Sequence, residues 1–458
     1  MSSRSAQPPH TWSILNPGHP IKSLFVAFWV WKSLVLVVIA CCPGPGYETS
    51  LGRLPSQVPS THDSRPQQLE SLTPLPTLLK FVRWDAVYFV HIAEHGYVYE
   101  QEWAFGYGYT QVLSFLVSVL RRNSGLSGAT AAALVGIVLS HMAHFLSVLV
   151  LYRLSINVFG QDTATRRLTC FLSATLHIIC PAGAFLSAPY AESLFSFLNM
   201  SGFYIYSSSF LDDNVGRTVI SNVKLLIASV LFAAATTVRS NGILSGCLLA
   251  YDAVLLLRRT LFHGPMKRAC LRLCVTVVGG CIVAAGMIFS QALAYADFCL
   301  DVQTSRPWCG KLIPSIYPWV QRQYWDVGFL RYWTIRNLPF FLLAIPMLHT
   351  LCRSSMWAMS LSKADSSLFS TWSASLLARL ALPQGLLAVL GITSYHTQII
   401  NRICSGYPLW YWYLACQIVR ERYEPRAKRR PGWTFAIQAM VIYAILQAAL
   451  YGSFLPPP

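Results

Sequence analysis

Side chains that could do chemistry are concentrated in one short stretch, residues 81–97, which reads FVRWDAVYFVHIAEHGY. A carboxylate such as that of Asp85 or Glu94 can accept a proton from a hydroxyl, and the guanidinium of Arg83 can bind phosphate in bidentate fashion. His91 and His95 add two groups that titrate near neutral pH. An otherwise apolar chain that gathers titratable groups in one place favours a catalytic or binding site there. The pattern leaves one alternative open, an amphipathic surface helix with a solvated polar face.

The rest of the chain has the composition of a membrane protein. Of its 458 residues, 54% are hydrophobic and only 12% are charged, whereas a soluble protein carries about 25% charged residues. The net charge of +17 does not indicate nucleic-acid binding, because the Lys and Arg residues form short clusters between apolar segments. The positive-inside rule places such clusters on the cytosolic face, where some can contact anionic membrane lipids.

The hydropathy pattern predicts an all-α polytopic membrane protein with about eleven crossings. Backbone polar groups must be satisfied inside lipid, so apolar segments near the spanning length are expected to be helices. The predicted crossings are residues 21–42, 129–152, 168–186, 188–208, 221–238, 242–257, 273–295, 334–351, 374–394, 405–419 and 433–451. A twelfth segment, 105–120, is short, begins with two glycines and is rich in Thr, Gln and Ser. We predict that it is an interfacial helix.

Basic clusters around Arg258, Arg353 and Arg420 assign the faces of the membrane. The chain is then a cytosolic tail (1–20), one membrane domain (21–451) and a short C-terminal tail (452–458). Three loops face away from the cytosol: 43–128, 296–333 and 395–404. The same assignment gathers on that far face the polar residues without an evident role in solubility, which suggests a shared pocket: Arg83, Trp84, Asp85, His91, Glu94, Tyr190, Glu192, Arg239, Asn241, Trp325, His396, Gln398 and Arg402.

Several of these residues also have an ordinary structural interpretation. Glu192 could be a first-turn carboxylate favoured by the helix dipole, and Arg239 could extend its charge to the interface without a functional role. Asn241 could belong to a simple turn, and His396 could be an ordinary loop histidine. The Trp and Tyr residues of the loop 296–333 could form an aromatic interface belt.

Cys299 and Cys309 flank a short polar loop. If the far face is oxidising, they are expected to form a disulfide, and two free thiols are the alternative. The other cysteines show no zinc-type spacing. No Gly-rich phosphate loop and no DxD motif occurs in the sequence, so we expect no cofactor or metal and favour a lipid-linked donor over a metal-bound nucleotide.

Five segments in order resemble the second GPI mannosyltransferase family, the PIG-V family. They are RWDAVYF and IAEHGY at 83–97 followed by WAF at 103–105, SAPYAESLF at 187–195, RSNG at 239–242, YWDVGFLRYW at 324–333 and HTQIINR at 396–402. Together they extend over nearly all of the membrane region. After Phe105 the family pattern continues with prolines, whereas this chain reads GYGY at 106–109.

The resemblance implies a GT-C-type fold in the endoplasmic reticulum membrane with a lumenal site. It implies transfer of mannose from dolichyl-phosphate-mannose to a mannosyl-glucosaminyl phosphatidylinositol precursor, with an α-1,6 link and inversion. We expect Asp85 to be the base, with Glu94 in reserve, and Arg239 and Arg402, then Arg83, to bind the donor phosphate. The remaining residues of the far-face group are expected to bind substrate.

Two other classes of function are compatible with the sequence. A polytopic lipid transporter or flippase would spread polar groups across the midplane, often with inverted repeats, whereas here they gather at one face. A non-catalytic subunit that binds the same lipids is the second alternative. The resemblance is also compatible with a small membrane partner subunit of the enzyme.

Overall fold

The computed structural model describes residues 16–43, 77–123, 126–264, 266–300, 306–364, 371–423, 432–453 and 455. Within these ranges the chain is helical and contains no β-strand. The helices are α1 Pro20–Cys41, α2 Asp85–His95, α3 Tyr107–Asn123, α4 Gly128–Phe159, α5 Ala164–Ile178, α6 Glu192–Asn214, α7 Thr218–Val238, α8 Gly246–His263, α9 Lys267–Cys299, α10 Ile316–Trp325, α11 Leu338–Ala364, α12 Thr371–Thr393, α13 Ile400–Ile403, α14 Leu409–Tyr423 and α15 Trp433–Gly452.

Eight helices within the described ranges are long and apolar enough to cross a membrane: α1, α4, α7, α8, α9, α11, α12 and α15. The all-α polytopic prediction is therefore confirmed. The three other predicted crossings fall on α5, α6 and α14, which do not meet the same length and hydropathy limits. The number of eleven crossings and the sides assigned to the loops stay predictions. Segment 105–120 falls on α3, a 17-residue helix that is not among the eight.

The bundle is organised around α6, which packs between α4 and α7. Helix α9 packs on α7 and α8, while α11 and α12 form a second pair that contacts α14. Small buried residues of α4, among them Ala132 and Gly136, let neighbouring backbone approach closely. A side chain at position 136 would collide with Pro189, so the glycine makes room for the segment described next.

The predicted crossing 168–186 is wrong in its boundaries, since helix α5 ends at Ile178. Residues 179–191 form an irregular, buried segment that leads into α6. Irregular backbone in a membrane bundle needs hydrogen-bond partners from its surroundings. Ser140 of α4 donates to the carbonyl of Ala188 (2.6 Å), and Lys32 of α1 donates to the carbonyl of Leu186 (2.6 Å). Lys32 lies inside the predicted crossing 21–42 and is buried there.

All three predicted far-face loops contain helices, and the third, 395–404, holds the short helix α13. The first holds α2 and α3, joined by the short 3₁₀ helix Glu100–Ala104, and its residues 44–76 lie outside the described ranges. Gly96 ends α2 with a φ of 75°, a conformation that favours glycine. The second loop holds α10, and its residues 301–305 are not described. Most of the two predicted tails, 1–20 and 452–458, also lies outside the described ranges.

Candidate active site

A cavity of about 460 Å³ opens where α2, α6, α7, α10 and the segment after α12 meet. This volume lies within the roughly 300–1,000 Å³ of typical ligand pockets. The far-face residues that line it are Trp84, Asp85, Arg239, Trp325, His396, Gln398 and Arg402. Residues from segments far apart in the sequence thus share one wall, which the expectation of a common pocket requires.

Asp85 is held at the cavity by the backbone that precedes it. It is the first residue of α2, where the helix dipole favours a carboxylate. Trp84 just before it has a φ of 54°, an unusual value for a bulky residue, which turns the chain sharply into the helix. The carbonyl of Arg83 accepts hydrogen bonds from the hydroxyls of Tyr190 (2.9 Å) and Tyr451 (3.4 Å). These bonds fix the turn to α15 and to the irregular segment.

Two carboxylates and two guanidiniums form a connected ion-pair group, which we call the four-charge cluster: Asp85, Glu192, Arg239 and Arg402. Arg402 pairs with Asp85, and its Nε lies 3.0 Å from Glu192 Oε1. An Nη of Arg239 lies 2.7 Å from the same Glu192 oxygen. Glu192 thus bridges both guanidiniums, while Asp85 contacts one of them.

The two carboxylates of the four-charge cluster differ in exposure. The Glu192 side chain is 0% exposed, whereas that of Asp85 is 32% exposed and lines the cavity. The two arginine side chains are only 14–15% exposed. Glu192 is therefore a buried counter-ion beneath the arginines, and Asp85 is the carboxylate that a ligand can reach.

Arg402 is held by aromatic rings as well as by the carboxylates. Its guanidinium carbon lies 4.7 Å from the ring centre of Phe185 and 5.5 Å from that of Tyr190, which suits cation–π attraction. Burial lowers the pKa of Arg402, but the nearby carboxylates of Asp85 and Glu192 raise it more, so the net shift is upward. The guanidinium is a permanent cation at the cavity wall.

His396 and Gln398 line the same cavity from the segment just after α12. The Tyr332 hydroxyl donates to Gln398 Oε1 (3.0 Å), and the His396 ring packs edge-on against Tyr332 with centroids 4.8 Å apart. Burial lowers the pKa of His396, although the Asp85 carboxylate acts in the opposite direction. The lowered pKa favours the neutral imidazole, which can donate or accept a hydrogen bond.

Asn241 lies beside a smaller cavity of about 60 Å³, whose lining includes Arg239 and His396 of the larger one. The Tyr407 hydroxyl donates to the Asn241 carbonyl (2.8 Å). The turn is a 3₁₀ helix, Ser240–Ser245, which begins the candidate span Ser240–Phe262 that contains the predicted crossing 242–257. Gly242 packs against the backbone of Thr236, where a Cβ would overlap, so a glycine is needed.

Six predicted site residues do not line the main cavity: Asn241, described above, and five others. Arg83 is fully buried behind the turn, and Tyr190 is buried beneath Arg402. His91 pairs with Glu102 through an Nδ1–Oε1 contact of 2.6 Å.

The other two are Glu192, which is buried below the arginines, and Glu94. Glu94 lies nine residues after Asp85 on α2, or about 13 Å along the helix axis. Partial burial raises its pKa, although His95 and Arg121 act in the opposite direction. With Asn241 at the smaller cavity, these residues support the site or lie away from it.

Some wall residues were missed by sequence reasoning. Phe105, Gly106, Tyr317 and Gln321 line the cavity. A Cβ at Gly106 would overlap the carbonyl of Val238, so the glycine allows α3 to begin directly against the end of α7. In the sequence, the position of Gly106 directly after the WAF segment was the one sign that it could belong to the site. Tyr317 and Gln321 are spaced four residues apart on one face of α10.

Helix α10 is fixed by a small module that combines the expected disulfide with contacts of Glu100 that sequence reasoning missed. Glu100 accepts hydrogen bonds from Trp308 Nε1 (2.6 Å) and from the Tyr324 hydroxyl (3.1 Å). A disulfide joins Cys299 to Cys309, with Cα atoms 5.6 Å apart. The module ties the end of α9 and the start of the loop to the 3₁₀ helix after α2. It thereby sets the position of the α10 wall.

The donor set of the cavity is suited to group transfer from a phosphate-linked donor. A reachable carboxylate can accept a proton, and two fixed guanidiniums can bind a phosphate and stabilise it as a leaving group. Among the described residues, no group of three or more His, Cys, Asp or Glu side chains is arranged to hold a metal ion. These features define a membrane-embedded transferase as the class that the site fits best.

Comparison with known proteins gives the family. Residues 23–458 match the family model described as Mannosyltransferase (PIG-V). A protein of Aspergillus oryzae named GPI mannosyltransferase 2 is 55% identical, covering 97% of this chain and 98% of its own. Proteins of the same name from Aspergillus fumigatus (50% identical, 97% and 95% covered) and Chaetomium globosum (38%, 98% and 99%) are also similar. The chain belongs to the PIG-V mannosyltransferase family and is a multi-pass membrane glycosyltransferase.

Solved structures with a similar helical arrangement are those of the Archaeoglobus fulgidus oligosaccharyltransferase. The apo form has a TM-score of 0.47 and 10% identity, and the match covers 93% of this chain and 56% of that one. The complex with an inhibitory peptide and a dolichol-phosphate has a TM-score of 0.45 and 11% identity, with the same coverage. This chain spans about half the length of those proteins, and identities this low transfer no residue roles.

Proposed function

We propose that this chain transfers the second mannose of the GPI anchor. The donor is dolichyl-phosphate-mannose, and the acceptor is a mannosyl-glucosaminyl phosphatidylinositol lipid. The new link is α-1,6, and the site faces the lumen of the endoplasmic reticulum in a GT-C-type membrane domain. Membership of the PIG-V family and the names of the similar proteins support the substrates. The observation that carries the assignment of the site is the ion pair of Asp85 with Arg402 at the wall of the main cavity.

The reaction requires one proton transfer and one leaving group. The 6-hydroxyl oxygen of the acceptor mannose attacks the anomeric carbon of the donor mannose, while the proton of that hydroxyl passes to the Asp85 carboxylate. The bond from the anomeric carbon to the phosphate oxygen breaks, and its electron pair leaves with dolichyl phosphate. Attack from the face opposite the phosphate inverts the configuration. General-base assistance of this kind is typically worth about 10²–10⁴-fold in rate.

The guanidiniums of Arg239 and Arg402 bind the phosphate and stabilise the charge that develops on it. Trp84 and Trp325 form apolar walls against which a sugar face can pack. His396 and Gln398 supply neutral hydrogen-bonding groups for sugar hydroxyls across the cavity. Glu192 keeps the two arginines together from below and does not touch the substrate.

The test is mannose transfer by the purified chain, with and without co-expressed membrane proteins as partner subunits. Asp85→Ala should lower transfer by about 10²-fold or more and leave the single-mannose precursor to accumulate in cells that lack the endogenous enzyme. Asp326→Asn is the matched control, because Asp326 is an exposed aspartate outside both cavities that pairs with Arg331 (2.6 Å).

Full rescue of deficient cells by Asp85→Ala would remove Asp85 from the mechanism. Movement of the lipids across the membrane without mannose transfer would instead favour a transporter. Transfer that persists in a preparation without this chain would favour a non-catalytic subunit. The three alternatives are thus separated by one set of assays.

A further inference from the structure

The four-charge cluster is neutral as a whole, yet it lines a cavity that must receive an anion. Its two guanidiniums are balanced by two carboxylates, and one of those carboxylates, Asp85, is the proposed base. A base whose oxygen already accepts a guanidinium hydrogen bond is less able to accept a proton from a hydroxyl. The same contact occupies a guanidinium that a phosphate would need. The arrangement therefore holds both groups in a state unsuited to transfer.

We propose that Arg402 is a latch on Asp85, and that the donor phosphate opens it by replacing the Asp85 carboxylate on the Arg402 guanidinium. This inference rests on the proposed function, because it takes a phosphate-linked lipid as the donor. The released carboxylate then faces the cavity and can take the proton of the acceptor hydroxyl. Donor binding thus prepares the base, and the donor binds before the acceptor in productive turnover.

The difference between the two carboxylates indicates which one exchanges. Glu192 is fully buried, contacts both arginines and has no route to the cavity, so it stays as a fixed counter-ion. Among the described residues, Asp85 forms an ion pair only with Arg402, and a third of its side chain is exposed at the cavity. Releasing Asp85 places a charge where solvent or substrate can reach it, whereas releasing Glu192 would leave a charge buried and unpaired.

The charges also match after the exchange. With Asp85 released, two guanidiniums and Glu192 carry one net positive charge. A glycosyl phosphodiester carries one negative charge, so the exchanged group is again neutral. After transfer the proton lies on Asp85, and the leaving dolichyl phosphate is a monoester with a second titratable charge. The extra negative charge favours retention of dolichyl phosphate by the arginines until Asp85 loses the proton and can pair with Arg402 again.

Arg402 does not swing free during the exchange. Its guanidinium packs over Phe185 and Tyr190 and contacts Glu192 through Nε. Only the Nη2 that contacts Asp85 has to change partner. The latch therefore works by movement of the short aspartate side chain at the start of α2 and needs no helix movement.

The first experiment measures binding of dolichyl phosphate to the purified full chain. Asp85→Asn removes the negative charge that competes with the phosphate for Arg402. The Kd of this variant for dolichyl phosphate should therefore fall about three- to tenfold, the range expected for a partly exposed charged hydrogen bond. The Kd of Asp85→Ala should fall by a similar factor, so that the conclusion does not depend on the folding of a single variant. Asp326→Asn should bind as the unaltered chain does. Dolichol, which lacks the phosphate, should show no gain with either Asp85 variant.

Several results would overturn the latch. An unchanged or weaker affinity for dolichyl phosphate in both folded Asp85 variants would show that the carboxylate does not compete. An equal gain for dolichol would show that the phosphate is not what competes. If the unaltered chain transfers mannose while either result holds, the latch fails and the proposed function stands. If the unaltered chain neither transfers mannose nor binds dolichyl phosphate, both fail.

The second experiment tests the order of binding. An acceptor analogue lacking the attacking 6-hydroxyl should inhibit uncompetitively against dolichyl-phosphate-mannose, because it would bind productively only after the donor has opened the latch. Noncompetitive or competitive inhibition against the donor would contradict the order. This kinetic measurement uses the unaltered chain and does not depend on how any variant folds.

Discussion

Replacing Glu192 by Gln should destabilise the protein much more than replacing Asp85 by Asn. Both changes remove one negative charge from the four-charge cluster and keep the side-chain shape nearly unchanged. Glu192, however, is the one carboxylate contact of Arg239 in the described contacts and the second contact of Arg402. The Asp85 variant leaves Arg402 paired with Glu192, so no buried guanidinium loses its last carboxylate.

The magnitudes follow from burial. Removing one partner of a buried ion pair costs about 3–5 kcal/mol, because it leaves an uncompensated charge. The Glu192 side chain is 0% exposed and the arginines are 14–15% exposed, so this range applies to Glu192→Gln. Asp85 is 32% exposed, and solvent reduces the cost of losing its contact to about 1 kcal/mol or less. For a chain of this length the larger cost corresponds to a fall in apparent Tm on the order of 5 °C.

The assay is thermal unfolding of the two purified variants in one detergent, with Asp326→Asn as the charge-matched control. Glu192→Gln should melt several degrees below the unaltered chain, while Asp85→Asn and the control should stay within about one degree. Equal melting temperatures for Glu192→Gln and the unaltered chain would refute the bridging role of Glu192. A larger fall for Asp85→Asn than for Glu192→Gln would refute the ranking by burial.

Three further predictions concern other parts of the site. Glu94→Gln should not show the loss of about 10²-fold or more that removal of a base causes, and initial rates of mannose transfer check this. His396→Gln, which keeps a neutral polar group as the lowered pKa requires, should retain more transfer activity than His396→Lys, whose cation lies in the same cavity as two arginines. Cys299→Ser with Cys309→Ser should lower the melting temperature, because closing a loop of ten residues is worth about 2–3 kcal/mol. A melting temperature unchanged by both substitutions would contradict the last.

Sequence reasoning was most successful where a residue's role depends on its nearest neighbours along the chain. Apolar runs of spanning length predicted the helices, and eight of them meet the length and hydropathy limits of a membrane span. Arg239, His396 and Arg402 each lie next to the end of a predicted crossing, where a polar group faces an interface, and Asp85 lies in the polar stretch 81–97. The structure brings all four to one cavity.

Features that depend on distant partners could not be predicted in the same way. The ammonium group of Lys32 lies inside the bundle, where it donates to the Leu186 carbonyl. Residues 179–186 were predicted to end a crossing, yet they belong to the irregular segment 179–191, whose carbonyls at Leu186 and Ala188 accept from α1 and α4. The hydrogen bond from Trp308 to Glu100 spans 208 residues of sequence.

The two carboxylates of the four-charge cluster show why their roles could not be assigned from the sequence. Asp85 and Glu192 both begin a helix, so both have the same local advantage from the helix dipole. What separates them is the exposure of the side chain, which is 32% for Asp85 and 0% for Glu192. The turn before Asp85 ends at the cavity surface, whereas the irregular segment before Glu192 runs buried beneath Arg402, with Phe185 and Tyr190 against its guanidinium. A carboxylate that lies below the arginines can hold them in place but cannot reach a ligand. A carboxylate beside the cavity can be replaced on the guanidinium by a ligand. The path of the irregular segment therefore explains why Glu192 is suited to hold the arginines, whereas Asp85 is suited to contact a ligand.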